Sequence, residues 1–234
     1  MSLPSAIVVT PAEVLAAVSL IAAAAYGFVL LQRPPSLLRT VTKTLAVAAI
    51  AVIAALTGLG WLLAIGFGLS AIGDAALEGD GARPNGPKRW LPIGLGCFLL
   101  AHAAYLVVFV HVGGGVLMFR AQPVRLAGVL AAVSAAIFMI RILWPYLGRI
   151  EGGALKGPVL VYVLAITAIV IAAFTLPLSR WPAMAGSAAF MASDAILAMR
   201  LFRYEGRPHR VADLAVWWLY YAAQVGIAAA FLSL

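Results

Sequence analysis

Long uninterrupted apolar runs are the feature that most constrains this chain. Apolar residues make up 65% of its 234 residues and charged residues only 10%, whereas a soluble domain carries about 25% charged residues. No water-soluble fold can hide that much apolar surface, so lipid must be the solvent for most of the chain. In hydrocarbon only helices and closed barrels satisfy every backbone group, and barrel strands alternate apolar and polar residues. These runs do not alternate, which predicts an all-α, polytopic transmembrane helical bundle.

The apolar runs predict eight membrane-spanning helices, because roughly 20 apolar residues cross a bilayer core. The predicted spans cover about 13–31, 40–57, 59–77, 90–110, 123–144, 157–177, 181–202 and 212–233. Trp61, Trp90, Trp144 and Trp181 fall at predicted ends, as an aromatic belt requires. We expect residues 1–234 to form a single integral-membrane domain. Its first run is expected to be a retained span rather than a cleaved signal peptide, since no positive segment precedes it.

The net charge of +8 does not indicate a nucleic-acid partner, because the basic residues lie in short loops between apolar runs. With eight spans, thirteen basic residues fall on one side of the membrane and three on the other. The positive-inside rule then predicts that both termini face away from the cytoplasm. The Ala- and Gly-rich composition is typical of bacteria, so we expect a multi-pass protein of the bacterial inner membrane.

Asp74 and Asp194 are the two acidic residues that lie within apolar runs. The other six lie in loops or at span ends: Glu13, Glu78, Asp80, Glu151, Glu205 and Asp213. A charge at mid-membrane costs about 2.5–3.5 kcal/mol on insertion scales, so such residues usually face a polar cavity and mark function. The alternative is that each aspartate pairs with a cation or a backbone group and simply joins two helices.

Further polar side chains are predicted at a similar depth, in the cytoplasmic half of the bundle. They are Lys43, Tyr162, the pair His102 and Tyr105, and the pair Tyr221 and Gln224, each pair three residues apart on one helix face. Together with the helices of Asp74 and Asp194, six predicted helices therefore offer polar groups at overlapping depth, which scattered core residues need not do. Each residue has an ordinary alternative, since buried histidines and tyrosines commonly serve packing and a lysine can extend to the interface.

The absence of several known motifs argues against a number of site types. The chain contains no CxxC or HExxH, so a zinc site is not expected, and it contains no Walker loop or GxSxG elbow. We therefore expect neither a metal nor a cofactor. Paired carboxyl groups instead fit an acid–base hydrolysis, in which one group donates a proton and the other activates water.

Six segments around these polar residues resemble the YhhN/TMEM86 family of membrane proteins. They are TKTL at Lys43, SAIGDAAL at Asp74, AHAAYLVVF at His102, GPVLVYVLAI at Tyr162, GSAAFMASDAILAM at Asp194 and YYAAQ at Gln224. They follow the family order across nearly the whole chain. The GD, H-x-x-Y and SD-x-x-L elements are fairly specific in combination.

The resemblance implies an eight-helix hydrolase that cleaves the vinyl ether bond of lysoplasmalogens, a class of lysophospholipid. The products are a fatty aldehyde and glycerophosphoethanolamine or glycerophosphocholine. The family aspartates proposed as catalytic fall on Asp74 and Asp194, although the roles of acid and base stay unassigned between them. We expect His102 and Tyr105 to orient water or the acid, and Lys43 to attract the phosphate. Because many bacteria make no plasmalogens, another ether or enol-containing lysolipid is an alternative substrate.

Two other functions remain open from the residues. An intramembrane aspartyl protease also uses two membrane aspartates, but its GxGD motif is here Ala71-Ile72-Gly73-Asp74, without the first glycine. A proton-coupled transporter or a lipid-binding protein without chemistry is compatible with the aspartate pair and with a weak repeat, GDAAL at 73–77 and SDAIL at 193–197. Against transport, the apolar runs lack paired Gly and Pro interruptions.

Overall fold

A computed structural model describes residues 9–58, 60–81, 89–149, 153–205, 207 and 209–232, without the side chains of residues 80 and 81. No strand occurs within these residues. The α-helices are α1 Pro11–Ala24, α2 Leu37–Leu56, α3 Trp61–Gly81, α4 Leu91–Val112, α5 Val116–Ala121, α6 Arg125–Leu147, α7 Lys156–Ala173, α8 Trp181–Ala198 and α9 Arg210–Phe231. A π-helix, Ala25–Leu30, extends α1, and another, Met199–Arg203, extends α8.

Eight helices of the described chain are long and apolar enough to cross a membrane. This confirms the predicted all-α polytopic bundle, and the chain is a multi-pass integral membrane protein. The observed spans begin and end within about one helical turn of the predicted bounds. The short helix α5, which follows the span α4, was not predicted. The orientation of the termini and the single-domain organisation stay predictions.

The end of α3 corrects one predicted boundary. The run was expected to end at about residue 77, but α3 continues to Gly81 and carries Glu78 inside the bundle, where its side chain is 6% exposed. The side chain of Asp80 and the whole of Glu151 lie outside the described residues.

Local sequence explains where several helices begin and turn. At α1, Thr10 Oγ1 accepts a hydrogen bond from Glu13 N at 3.2 Å while Glu13 Oε2 accepts one from Thr10 N at 2.7 Å, which is a capping box. The turn between α2 and α3 has Gly58 at φ 71° and Gly60 at φ 105°, and glycine adopts positive φ without steric cost.

Close packing between α8 and α9 depends on glycine. A Cβ atom added to Gly186 would lie 2.9 Å from the carbonyl oxygen of Ala223, so the two backbones approach as small residues allow in membrane helices. Ser193 Oγ also donates to the carbonyl oxygen of Val216 at 2.9 Å. The segment of α8 that carries Asp194 is therefore fixed against α9.

The outer face of the bundle is apolar, as a lipid-facing surface must be. Large side chains such as Ile21, Phe28 and Phe138 are exposed there. Among the eight described spans, α6 has the smallest buried share, so it is the helix least enclosed by the others. A small apolar cluster of Leu143, Leu147, Val159 and Phe202 connects it to α7 and to the end of α8.

Candidate functional site

Asp74 lies on α3 with both carboxylate oxygens occupied. Lys43 Nζ, from α2, is 3.1 Å from Asp74 Oδ1, and Tyr220 Oη, from α9, donates to Asp74 Oδ2 at 2.6 Å. The aspartate side chain is only 2% exposed. Because a cation and a hydrogen-bond donor both favour the ionised form, Asp74 is held as a carboxylate that joins three helices.

Glu78 extends this cluster, and sequence reasoning missed its role. Arg39 Nε lies 2.9 Å from Glu78 Oε2, Lys43 Nζ lies 3.7 Å from Glu78 Oε1, and Tyr26 Oη donates to Oε1 at 2.6 Å. The two carboxylates and two cations balance. We call Tyr26, Arg39, Lys43, Asp74, Glu78 and Tyr220 the Lys43 network. The spacing contained the signal, since Glu78 follows Asp74 and Lys43 follows Arg39 by four residues, on one helix face.

Asp194, on α8, has a different environment. Tyr162 Oη, from α7, donates to Asp194 Oδ2 at 2.9 Å, and His102 Nε2, from α4, lies 3.7 Å from the same oxygen. No lysine or arginine of the described chain forms an ion pair with it. Its side chain is 14% exposed, so this carboxyl group is partly accessible and lacks a permanent cation.

The hydrogen bond at His102 Nδ1 determines whether Nε2, which faces Asp194, donates or accepts a proton. His102 Nδ1 lies 2.5 Å from the carbonyl oxygen of Phe98, and a carbonyl oxygen only accepts, so Nδ1 carries a proton. In a neutral imidazole Nε2 is then an acceptor, and it faces a carboxyl oxygen. Two acceptors facing each other are unfavourable, and one proton on either partner removes the conflict. The His102–Asp194 pair is therefore suited to hold one transferable proton.

A cavity of about 60 Å³ lies beside Asp194, between α6, α7 and α8. Among its described lining residues, Tyr162 and Asp194 supply the polar groups, and the remainder, such as Leu143, Ile166 and Phe202, are apolar. We call this cavity with its two polar residues the Asp194 pocket. Its chemistry suits the end of an apolar chain placed against one carboxyl group.

The ring of Phe190 contacts one partner of each aspartate. The ring of Phe190 lies 4.7 Å from that of His102 and 5.5 Å from that of Tyr220, measured between centroids. No hydrogen bond joins the two carboxyl groups within the described chain. Asp74 and Asp194 thus lie in neighbouring environments that share the Phe190 side chain.

The other predicted site residues make contacts between helices. Tyr105 Oη donates to Gln224 Oε1 at 2.9 Å, and Tyr221 Oη lies 2.9 Å from Ser19 Oγ. All three predicted residues are buried, and these hydrogen bonds join them to each other or to Ser19 rather than to either aspartate. Their role in substrate binding stays a prediction, as does phosphate binding by Lys43, whose ammonium group faces Asp74 and Glu78.

Comparison with known proteins identifies what this chain is similar to. A model of the YhhN family matches residues 38–231. The lysoplasmalogenases of Mycobacterium bovis and Mycobacterium tuberculosis are each 33% identical to it over an alignment of 143 residues that covers 59% of this chain and 49% of the relative. The chain therefore spans about half the length of the curated relatives it matches. No solved structure shows a significant match.

Proposed function

The chain belongs to the YhhN family, and on that premise we propose that it is a membrane hydrolase acting on the vinyl ether bond of lysoplasmalogen-type lysophospholipids. The two relatives named lysoplasmalogenase support the reaction class. The observation that carries the proposal is the Asp194 pocket. There, a carboxyl group without a permanent cation borders an apolar cavity and faces a histidine with which it can share a proton.

The shape and chemistry of the pocket support a single-chain lipid as substrate. A cavity of about 60 Å³ holds the reacting end of an apolar chain rather than its whole length. The remaining methylenes extend towards lipid past α6, the least buried span. A lysophospholipid has one chain, and in a lysoplasmalogen the vinyl ether lies at the glycerol end of that chain.

Vinyl ether hydrolysis begins when an acid protonates the β-carbon, which leaves an oxocarbenium ion at the α-carbon. Water then adds to the α-carbon and loses a proton, and the hemiacetal collapses to a fatty aldehyde and a glycerol hydroxyl group. One water molecule is consumed, and the acid recovers its proton. We assign the first proton to the His102–Asp194 pair, with Tyr162 fixing the carboxyl group by its hydrogen bond.

Asp74 enters the proposal as the second carboxylate, kept ionised by Lys43 and fixed by Tyr220. An ionised group near the developing oxocarbenium ion stabilises it and can accept the proton of the attacking water. Asp74 and Asp194 have different hydrogen-bond and charge partners, so either carboxyl group can be replaced without removing the partners of the other. The catalytic role of Asp74 is therefore separable by experiment from that of Asp194.

The function is tested by incubating purified protein with a lysoplasmalogen and with its saturated ether analogue. Mass spectrometry is expected to detect fatty aldehyde from the vinyl ether and none from the saturated ether, because only the vinyl ether has a β-carbon that can be protonated. Aldehyde from neither substrate, with the protein folded, contradicts the proposal. Uptake of the lipid into proteoliposomes without product formation would instead favour a transporter.

The membrane placement completes the proposal. The excess of basic residues at the end of the bundle that carries the Lys43 network supports a cytoplasmic location for that end. In a bacterial inner membrane the substrate would then enter from the inner leaflet, with both termini outside the cytoplasm. Labelling of single cysteines introduced at residues 10 and 33 of a Cys97→Ser variant, in intact cells and after lysis, tests this orientation. We expect residue 10 to be labelled in intact cells and residue 33 only after lysis.

A further inference from the structure

Two arginines from different helices converge on one tyrosine ring. The guanidinium carbon of Arg149, just beyond α6, lies 5.9 Å from the centroid of the Tyr146 ring, and that of Arg203, at the end of the α8 extension, lies 5.8 Å from it. Within the described chain neither arginine forms an ion pair with a carboxylate. Two like charges near one ring repel each other, and both attract an anion placed beside that ring.

These arginines lie at one end of the Asp194 pocket. Arg203 directly follows Phe202, a pocket residue, and Arg149 lies just past Leu147, which packs with Phe202 in the small apolar cluster. Arg203 follows Asp194 by about two and a half helical turns, about 13 Å of helix axis. The contact of Arg203 with the Tyr146 ring places its guanidinium group beside α6, which lines the pocket through Leu143.

We propose that Arg149 and Arg203 bind the phosphate diester of the lysophospholipid substrate. This inference rests on the proposed function, because the chain of the lipid is taken to place its vinyl ether against Asp194. A glycerol backbone then separates the reacting bond from the phosphate and directs the phosphate out of the apolar pocket. Guanidinium groups suit phosphate oxygens because they donate two parallel hydrogen bonds.

The alternative cation in the bundle is already engaged. Lys43 lies 3.1 Å from Asp74 and 3.7 Å from Glu78, so a phosphate there would displace or oppose two carboxylates. Arg149 and Arg203 are both exposed, and their described contacts are with aromatic rings, which tolerate an additional anion. The simpler explanation is that these arginines only lie at the cytoplasmic interface. If they bind phosphate, their replacement changes KM only for substrates that carry a phosphate, which distinguishes the two explanations.

The test compares a vinyl ether lysophosphatidylethanolamine with a 1-alkenylglycerol that lacks the phosphate. For Arg149→Gln and Arg203→Gln we expect KM for the phosphate-bearing lipid to rise about tenfold each, and more in the double variant, since hydrogen bonds to charged groups are strong. The value of kcat and the KM for the alkenylglycerol are expected to stay unchanged. Arg33→Gln, an exposed arginine before α2, is the matched control and is expected to change neither. Unchanged KM for both substrates, or an equal rise for both, overturns the phosphate site.

A binding measurement keeps this inference separate from the proposed function. In uncharged detergent, a saturated ether lysophospholipid is expected to raise the Tm of the wild-type protein but not of the double variant. An alkylglycerol is expected to shift the Tm of both proteins equally. If this pattern holds but no aldehyde ever forms, the hydrolase proposal fails and the phosphate site stands. If aldehyde forms but the Tm shift is the same in the double variant, the phosphate site fails alone. Inorganic phosphate is expected to give no shift, and a shift with it alone overturns a lipid head group as the ligand.

Discussion

The Lys43 network and the Asp194 pocket each contain an intramembrane aspartate that accepts a hydrogen bond from a tyrosine, yet the two carboxyl groups differ in their charge partners. Asp74 has Lys43 at 3.1 Å and Tyr220 at 2.6 Å. Asp194 has Tyr162 at 2.9 Å and an imidazole nitrogen at 3.7 Å. A permanent cation fixes the first as an anion, whereas the second shares its environment with a group that can gain or lose a proton.

The two regions use an intramembrane aspartate for two different tasks, joining helices and donating a proton. In a medium that penalises unpaired charge, the balanced Lys43 network joins helices and keeps Asp74 ionised before substrate binds. The Asp194–His102 pair has no such permanent balance, and its lowest-energy arrangement retains a proton. We therefore expect stability to depend mainly on the Lys43 network and proton donation mainly on the Asp194 pocket.

The largest effect is expected from Asp194→Asn, because asparagine cannot donate the proton to the β-carbon. The rate of aldehyde release should fall by about 10²–10⁴-fold, the usual contribution of a general acid. The Tm should change little, since no ion pair of Asp194 with lysine or arginine is lost. Activity per folded molecule and thermal unfolding in detergent are the two measurements. Asp213→Asn, which alters an ion pair with Arg200, is the matched control, and equal rate losses in the two variants would contradict the assignment.

Asp74→Asn is expected to act first on stability. Removing one member of a buried ion pair costs about 3–5 kcal/mol, because the remaining charge is left incompletely paired. Unfolding followed by circular dichroism or by denaturant titration in mixed micelles measures the loss. A Tm equal to that of the wild-type protein would show that the Lys43 network does not hold the helices together.

The double variant Lys43→Met with Asp74→Asn separates the structural role of Asp74 from its proposed catalytic role. Replacing both charges leaves Glu78 paired with Arg39, and removing a whole pair is far better tolerated than removing half of it. We expect most of the stability to return without activity, because Asp74 is proposed as a second catalytic carboxylate. Recovery of both stability and activity would reduce Asp74 to a structural role.

His102→Gln removes the proton partner of Asp194 while keeping a polar side chain. The rate of aldehyde release is expected to fall by about 10²-fold, the lower end for acid–base groups. His209→Gln is the control, since His209 accepts a hydrogen bond from Ala212 N at the start of α9 and lies outside the site. A rate unaffected by His102→Gln would place the proton on Asp194 without help from the imidazole.

The smallest effects are expected from a matched pair of tyrosine variants. Tyr162→Phe removes the hydrogen bond to Asp194 and should lower the rate about tenfold, the usual worth of one hydrogen bond, with little change in Tm. Tyr220→Phe removes the hydrogen bond to Asp74 and should lower stability by about 1.5–3 kcal/mol, the usual worth of a hydrogen bond to a charged group. The two variants should therefore separate in a plot of rate against Tm. Equal behaviour would end the division of tasks between the regions.

Hydropathy was sufficient to predict the helical architecture, because span length and apolar composition are both set by the bilayer. The same physics identified Asp74 and Asp194, since an acid within an apolar run is costly. Glu78 was missed because the predicted span ended one residue before it. Charged residues and glycines were used to mark the ends of predicted spans. That criterion fails at Glu78, because buried cations keep this acidic residue inside the helix.

The partners of the aspartates could not be derived from the sequence. Tyr220 reaches Asp74 across 146 positions and Tyr162 reaches Asp194 across 32, and helix order does not determine which faces meet. The neighbouring tyrosine shows the difficulty: Tyr221 was predicted at the site, but it contacts Ser19 on α1, whereas Tyr220 contacts the carboxylate. One step along a helix turns a side chain by about 100°, enough to change its partner.

The most direct test of this account follows the position of deuterium after turnover in ²H₂O. The wild-type protein is given a lysoplasmalogen, and the aldehyde is reduced at once to the alcohol and examined by mass spectrometry. Protonation of the β-carbon predicts one deuterium on the carbon next to the former aldehyde carbon, at a rate that falls with Asp194→Asn. Aldehyde without carbon-bound deuterium, or labelling at an undiminished rate in Asp194→Asn, would contradict proton donation from the Asp194 pocket.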